Sequence, residues 1–316
     1  MRRLFIHIGA PKTGSTAIQH FLADERAALL RHGILYPAAA TIGKAHHAIG
    51  AAIFPGRAGR LGGVPRDAAL ARALADVHAE IERHQPTTVI LSTEYLWGVL
   101  SPDRIRRLLA AFPDWRVHVV AYLRRQDLLA QSLYIQAVKA GHAGGFHEWL
   151  EHSQAGSKAP FDFFRVLRSW SGCGADVIVR VYETGSITPD VRVDFLETVG
   201  AGTAVAPPAG NRAVNTTPDA TTVELLRVVN REIADPDVAN RLRRRIMRSS
   251  PARAPFAPLP YLGHEEAALF VARFAEGNRR VAQEFLGRAD GVLFRDPLPG
   301  PRAEPAEGRG KKGERE

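Results

Sequence analysis

The run Leu4-Phe5-Ile6-His7-Ile8, the turn Gly9-Ala10-Pro11-Lys12-Thr13-Gly14 and the segment Ser15-Thr16-Ala17-Ile18-Gln19-His20-Phe21-Leu22 restrict this chain more than any other part of it. A short apolar stretch of mostly β-branched and aromatic residues reads as a buried strand. The Gly/Pro/Lys/Thr/Gly stretch reads as a loop, and the amphipathic segment opening on two hydroxyl residues reads as a helix. Strand, loop and helix in that order aim consecutive backbone N–H groups and the positive end of a helix dipole at one point, which suits a phosphate. The same residues also suit an ordinary strand-to-helix turn capped by Ser15 or Thr16.

The rest of the chain repeats the unit. Apolar strands are predicted at Thr88–Ser92, Val117–Leu123 and Asp176–Tyr182. Helical periodicity runs over Ser15–Arg31, Ala68–His84, Asp103–Phe112 and Phe161–Trp170, with Asp194-Phe195-Leu196 in the helix after the last strand. Alternating strands and helices predict an α/β fold: a three-layer α/β/α arrangement on a mostly parallel central sheet, with the phosphate-binding loop after the first strand. Further helices are predicted at Glu224–Ile233, Val238–Met247 and Glu265–Phe285. At 316 residues and 45% hydrophobic content, one large domain over 1–296 is favoured, followed by a disordered charged tail over 297–316. Between Ala38 and Arg66 no periodicity is evident, which predicts a long loop carrying His46 and His47. The histidine pair is either a polar turn or part of a substrate pocket. Metal binding is not expected, because no cysteine or carboxylate stands at ligand spacing.

A formal net charge of +9 implies an anionic partner. The arginines are dispersed, with no cluster interleaved with aromatics, so nucleic acid is not the predicted partner. A single cysteine, Cys173, excludes an intrachain disulfide. No apolar run reaches bilayer-spanning length, and the N-terminus enters the loop too soon for a signal peptide. A cytoplasmic chain without an integral membrane segment is therefore predicted.

The position of the lysine narrows the anion. Gly9 and Gly14 have the spacing of a GxxxxGK[ST] loop, but Ser15 occupies the lysine position and Lys12 lies inside the loop. Pro11-Lys12-Thr13-Gly14-Ser15-Thr16 resembles instead the 5′-phosphosulfate loop of sulfotransferases that use 3′-phosphoadenosine 5′-phosphosulfate (PAPS), written Pro-Lys-(Ser/Thr)-Gly-(Ser/Thr)-Thr. A second signature of that family is a strand ending in arginine with a serine eight positions on, together holding the 3′-phosphate. Arg124 and Ser132 stand at that spacing, with Asp127 where the family commonly has an acid. As a plain surface arginine and helix serine, the pair would carry no such meaning.

What the resemblance implies is transfer of the sulfuryl group of PAPS to a hydroxyl or amine of an acceptor, a saccharide or glycan being the leading candidate, without a metal. Lys12 would neutralise charge on the leaving phosphate, and the N–H groups of Thr13 to Thr16 would hold the 5′-phosphate. Tyr182, followed by Glu183, is similar to the family's adenine-side element. Arg212, in Gly210–Asn215, falls where relatives fold a polar segment over the cofactor, or else in a solvated turn. Glu94 is the predicted base, with His46 or His47 as alternatives; as a carboxylate at a helix start, Glu94 is also favoured by the dipole alone. Two other readings stay open: a nucleotide-dependent kinase, and a non-catalytic module that holds nucleotide or a sulfated glycan.

Overall fold

The computed structural model describes residues 1–156, 161–187, 190–202, 204–205, 217–250 and 259–298. Arg212 and its loop, residues 210–215, lie outside the described residues, as does the tail from residue 299. Strand β1 (Arg2–His7) leads into helices α1 (Ser15–Asp24) and α2 (Arg26–Arg31) and the two-residue strand β2 (Ile34–Leu35). Helices α3 (His47–Ile53) and α4 (Arg66–His84) precede β3 (Thr88–Ser92). Next come α5 (Pro102–Leu109), β4 (Trp115–Leu123), α6 (Gln126–Lys139), α7 (Phe146–Gly156), α8 (Phe163–Ser171), β5 (Asp176–Val181) and α9 (Val191–Thr198). Helices α10 (Ala220–Glu232), α11 (Pro236–Ser249), α12 (His264–Ala272) and α13 (Ala275–Leu286) complete the described elements.

The five strands form one sheet in the order β2-β3-β1-β4-β5, and every pairing is parallel. Strand periodicity sorts the core into two layers. Leu4, Ile6, Val89, Leu91, Val119, Ala121 and Leu123 face a core shared with α4, α5, α6, α8 and α13. Phe5, Ile90, Val120 and Tyr122 face a smaller core with Ile18, Phe21 and Leu22 of α1, Leu29 of α2 and Phe195 of α9. The α/β/α layering is thus a direct outcome of strands apolar on both faces. Because β1 lies between β3 and β4 while the chain passes first to one side and then to the other, its carboxyl end is the switch point where open α/β sheets bind ligands.

Several boundaries differ from the sequence reading. The helix from Ser15 breaks at Glu25, whose N–H closes on the Phe21 carbonyl at 2.9 Å, and α2 starts afresh. The 38–66 segment is not a loop throughout: α3 and a 3-10 turn over Pro55–Leu61 occupy its second half. The C-terminal helix divides at Phe274 into α12 and α13. Residues beyond 296 begin attached, since Arg125 donates to the carbonyls of Asp296 and Pro297 at 2.6 and 3.1 Å and Leu298 packs against the core. No helix among the described residues is long and apolar enough to cross a membrane.

Candidate active site

The loop between β1 and α1 is latched to β4. Ile8 N–H donates to Val120 O at 3.0 Å and Ala10 N–H to Tyr122 O at 3.1 Å, while Thr13 Oγ1 donates to Ala10 O at 2.7 Å. Gly9, Lys12 and Gly14 have φ values of 53°, 68° and 85°. For Lys12 this left-handed conformation is uphill for a side chain with a Cβ, and such strain is held where the surroundings over-determine it. No side chain caps α1; Ala17 N–H turns back to Gly14 O at 2.9 Å, and the N–H groups of Ser15 and Thr16 open the helix. Ser15 lies in this first turn, buried, with its Oγ lacking a hydrogen-bond partner in the protein.

Arg124 leaves the end of β4 beside this loop. It is 7% exposed, its Nη1 donates to the Lys12 carbonyl at 3.2 Å, and its Nε has no partner. Burial lowers its pKa, Tyr182 and Asp127 opposing. Ser132, 3% exposed on α6, also has an unpartnered Oγ. The neighbouring arginine has a different fate: Arg125 forms a bidentate pair with the buried Asp127 at 2.7 and 3.0 Å and ties down the C-terminal segment. Asp127 is therefore occupied by Arg125. Tyr182 continues β5 through its N–H to Leu123 O at 2.7 Å and sits within electrostatic range of Arg124. Glu183, by contrast, is structural: its carboxylate accepts from Ser186 Oγ and from the N–H groups of Arg295 and Asp296.

Lys12 reaches across to α6, where its Nζ donates to Gln136 Oε1 at 3.4 Å. Burial pushes its ammonium down to about 8, assisted by the charges of Lys139 and Arg124 and opposed by Glu94. Lys12, Lys139 and Arg124 thus share one region with Glu94, while Asp127, also in range of Arg124, is paired with Arg125; the surplus of positive charge favours a bound anion.

Glu94 begins the 3-10 turn after β3, and the β1–β3 pairing, His7 opposite Ser92, brings it beside the loop. A Cβ placed on Gly9 would lie 3.6 Å from Glu94 Cβ and 2.7 Å from Ser15 Oγ. Gln19 Nε2 donates to Glu94 Oε2 at 2.9 Å, and His47 Nε2 lies 3.7 Å from Oε1. His47 also contacts Thr93 Oγ1 at 2.9 Å and stacks on Tyr95 at 4.1 Å between centroids, and the Arg57 guanidinium lies 4.9 Å from the Tyr95 centroid. The pKa of His47 is lowered by burial, Glu94 opposing and Arg60 and Arg57 assisting. His46 does not join the site: it is fully buried, its Nδ1 accepts from Ser92 N–H at 3.1 Å and its Nε2 donates to Pro37 O at 3.1 Å. With both nitrogens engaged and burial pushing it down to about 3, His46 holds β3 to the preceding segment.

The structure therefore brings Lys12, Thr13, Gly14, Ser15, Thr16, Arg124 and Glu94 to the carboxyl edge of β1, β3 and β4, with Pro11 in the same loop and His47 behind Glu94. Gln19, His7, Gln136 and Lys139 escaped the sequence reading. The available signal was a polar residue on an apolar face: Gln19 beside Ile18 and Leu22, and His7 in the strand.

The buried unpartnered atoms of Arg124, Ser15 and Ser132 are donors, and they suit phosphate oxygens. No family model matches the chain, and no solved structure matches it. An uncharacterized protein from Archaeoglobus fulgidus is 29% identical over 180 residues, covering 54% of this chain and 46% of that protein. The chain thus spans about half the length of that relative, and the relative's description names no activity.

Proposed function

We propose that this chain is a sulfotransferase that takes PAPS as donor and moves its sulfuryl group to a hydroxyl or amine of an acceptor, with a saccharide or glycan as the leading acceptor class. The observation that carries the reading is the Arg124 Nη1 contact to the Lys12 carbonyl at 3.2 Å, which joins two motifs 112 residues apart. One nucleotide with phosphates at both its 3′ and 5′ positions fits a site in which those motifs touch.

PAPS supplies a sulfuryl group already activated on a phosphate, and the residues of this chain have four tasks. The N–H groups at the start of α1, with Ser15, hold the 5′-phosphate. Arg124 and Ser132 hold the 3′-phosphate, with Tyr182 near the arginine. Lys12 meets the negative charge that gathers on the phosphate as it leaves. Glu94 accepts the acceptor's proton and is kept in place by Gln19. In-line transfer of this kind depends on positioning and charge stabilisation, which a fixed loop and an oriented carboxylate supply.

Radiolabelled PAPS incubated with a panel of saccharides, lipid-linked glycans and phenols tests the proposal. Label should appear on at least one acceptor, and Lys12→Ala should lower that turnover about 10²–10³-fold. ATP hydrolysis without any response to PAPS would assign the loop to a nucleotide-dependent kinase. Binding of the product 3′-phosphoadenosine 5′-phosphate (PAP) without transfer to any acceptor would make the chain a binding module.

A further inference from the structure

His7 closes β1 on the α1 side of the sheet, 1% exposed, edge-on to Tyr122 and tilted against Phe195. Its Nδ1 lies 2.8 Å from Ser92 Oγ, and its Nε2 has no hydrogen-bond partner in the protein. The contacts around Ser92 favour one tautomer. Gln19 must turn its amide nitrogen toward Glu94, because a carboxylate only accepts, and that same nitrogen lies 3.3 Å from Ser92 Oγ. Ser92 Oγ thus accepts from Gln19, and His7 Nδ1 is the one neighbour among its hydrogen-bond contacts able to take its own hydrogen. A ring that accepts at Nδ1 and is neutral carries its proton on Nε2. Burial keeps the ring neutral, pushing its pKa down to about 4 against the opposing charge of Glu94.

The Nε2–H so defined points toward the anion loop. A Cβ on Gly9 would lie 3.7 Å from His7 Nε2 and 2.7 Å from Ser15 Oγ, so these two buried unpartnered atoms border the same small space under Gly9. A buried donor and a buried hydroxyl left unserved are each destabilising. One water held between the two atoms serves both.

We propose that His7 is a positioning residue of the anion loop: its Nε2–H serves Ser15 Oγ through that water, so that the Ser15 hydroxyl hydrogen is left free for a phosphate oxygen. The chain of oriented bonds then runs from Gln19 through Ser92 and His7 to Ser15, and Gln19 also holds Glu94. The cradle and the carboxylate are set by one network. The inference rests on the proposed nucleotide reading only for the identity of the anion; any phosphate in the loop engages the same chain.

The test is imidazole ¹⁵N spectroscopy of histidine-labelled protein at neutral pH, with the His7 signal identified by its loss in His7→Gln. The signal should report the Nε2–H tautomer, move on addition of PAP or inorganic phosphate, and become a tautomer mixture in Ser92→Ala. Calorimetry supplies the second arm. Ser15→Ala and His7→Phe should each weaken PAP binding about tenfold, with the double variant no weaker than the worse single one, and His7→Gln should restore much of the loss through its amide N–H. An Nδ1–H tautomer, a signal indifferent to a bound anion, or losses that multiply in the double variant would overturn the proposal. If His7→Phe does not fold, the tautomer measurement on wild type and Ser92→Ala decides. A His7 signal that answers inorganic phosphate in a protein that ignores PAP would sustain this inference and remove the nucleotide reading. PAP binding that leaves the signal unmoved would do the reverse.

Discussion

Lys12 and Arg124 hold their charges where burial opposes them, and the consequence is a pH dependence whose sign follows from linkage. The Lys12 ammonium titrates near 8, below its usual range, and an anion in the loop favours the protonated form. PAP affinity should therefore stay level below about pH 8 and fall above it, by up to about tenfold per pH unit. Calorimetry between pH 6.5 and 9.5 measures this, and a level profile through pH 9.5 would mean Lys12 does not meet the nucleotide's charge. For the unliganded protein the sign is opposite: a depressed lysine costs stability while charged, and that cost is relieved as pH rises from about 8 toward the ordinary lysine value of 10.5. The two adjacent arginines offer a sharper contrast. Asp127→Ala leaves Arg125 buried without its carboxylate and should lower the unfolding free energy by about 3–5 kcal/mol in urea titration. Arg124→Ala removes a guanidinium whose Nε is unpartnered and should leave stability unchanged or slightly raised while weakening PAP binding by about 1.5–3 kcal/mol. The family resemblance drew attention to Arg124 and Ser132, and both are buried with an unpartnered polar atom. The resemblance could not separate the roles of Arg124 and Arg125, which are decided by backbone arriving from residues 296 and 297.

Among the elements, the β1–α1 loop was the most legible, since its glycines, lysine and hydroxyls are contiguous and each has a local reason. Gly14 has φ 85°, and a Cβ at this position would lie 2.9 Å from Val191 Cγ1 of α9. Gly14→Ala should lower stability by about 1–2 kcal/mol through the left-handed backbone alone and raise the Kd for PAP, because the loop must shift off α9. Unchanged melting and binding would mean the loop adapts freely. Strand β2 was missed because two residues cannot show alternation, and α3 because Ala48, Gly50, Ala51 and Ala52 give little periodicity. The break at Glu25 lacks a glycine or proline, so no local signal marks it. The network through His7, Ser92, Gln19 and Glu94 links residues 73 to 85 positions apart, and it appears only once β1 and β3 are paired.

For the whole molecule, alternating strands and helices predicted the layers, and the sheet order then did what composition could not: it put the ends of β3, β1 and β4 side by side. The C-terminal segment closes the same edge, with Glu183 accepting from Arg295 and Asp296 and Arg125 donating to the carbonyls beyond. In the proposed site the loop of Lys12 and the arginine after β4 grip one nucleotide through phosphates at its two ends. Calorimetric titration of PAP and of adenosine 5′-phosphate into wild type and Arg124→Ala tests it most directly. Wild type should prefer PAP by at least about tenfold, and Arg124→Ala should bind the two nucleotides alike. Equal affinity in wild type, or a preference for PAP that survives without Arg124, would contradict it.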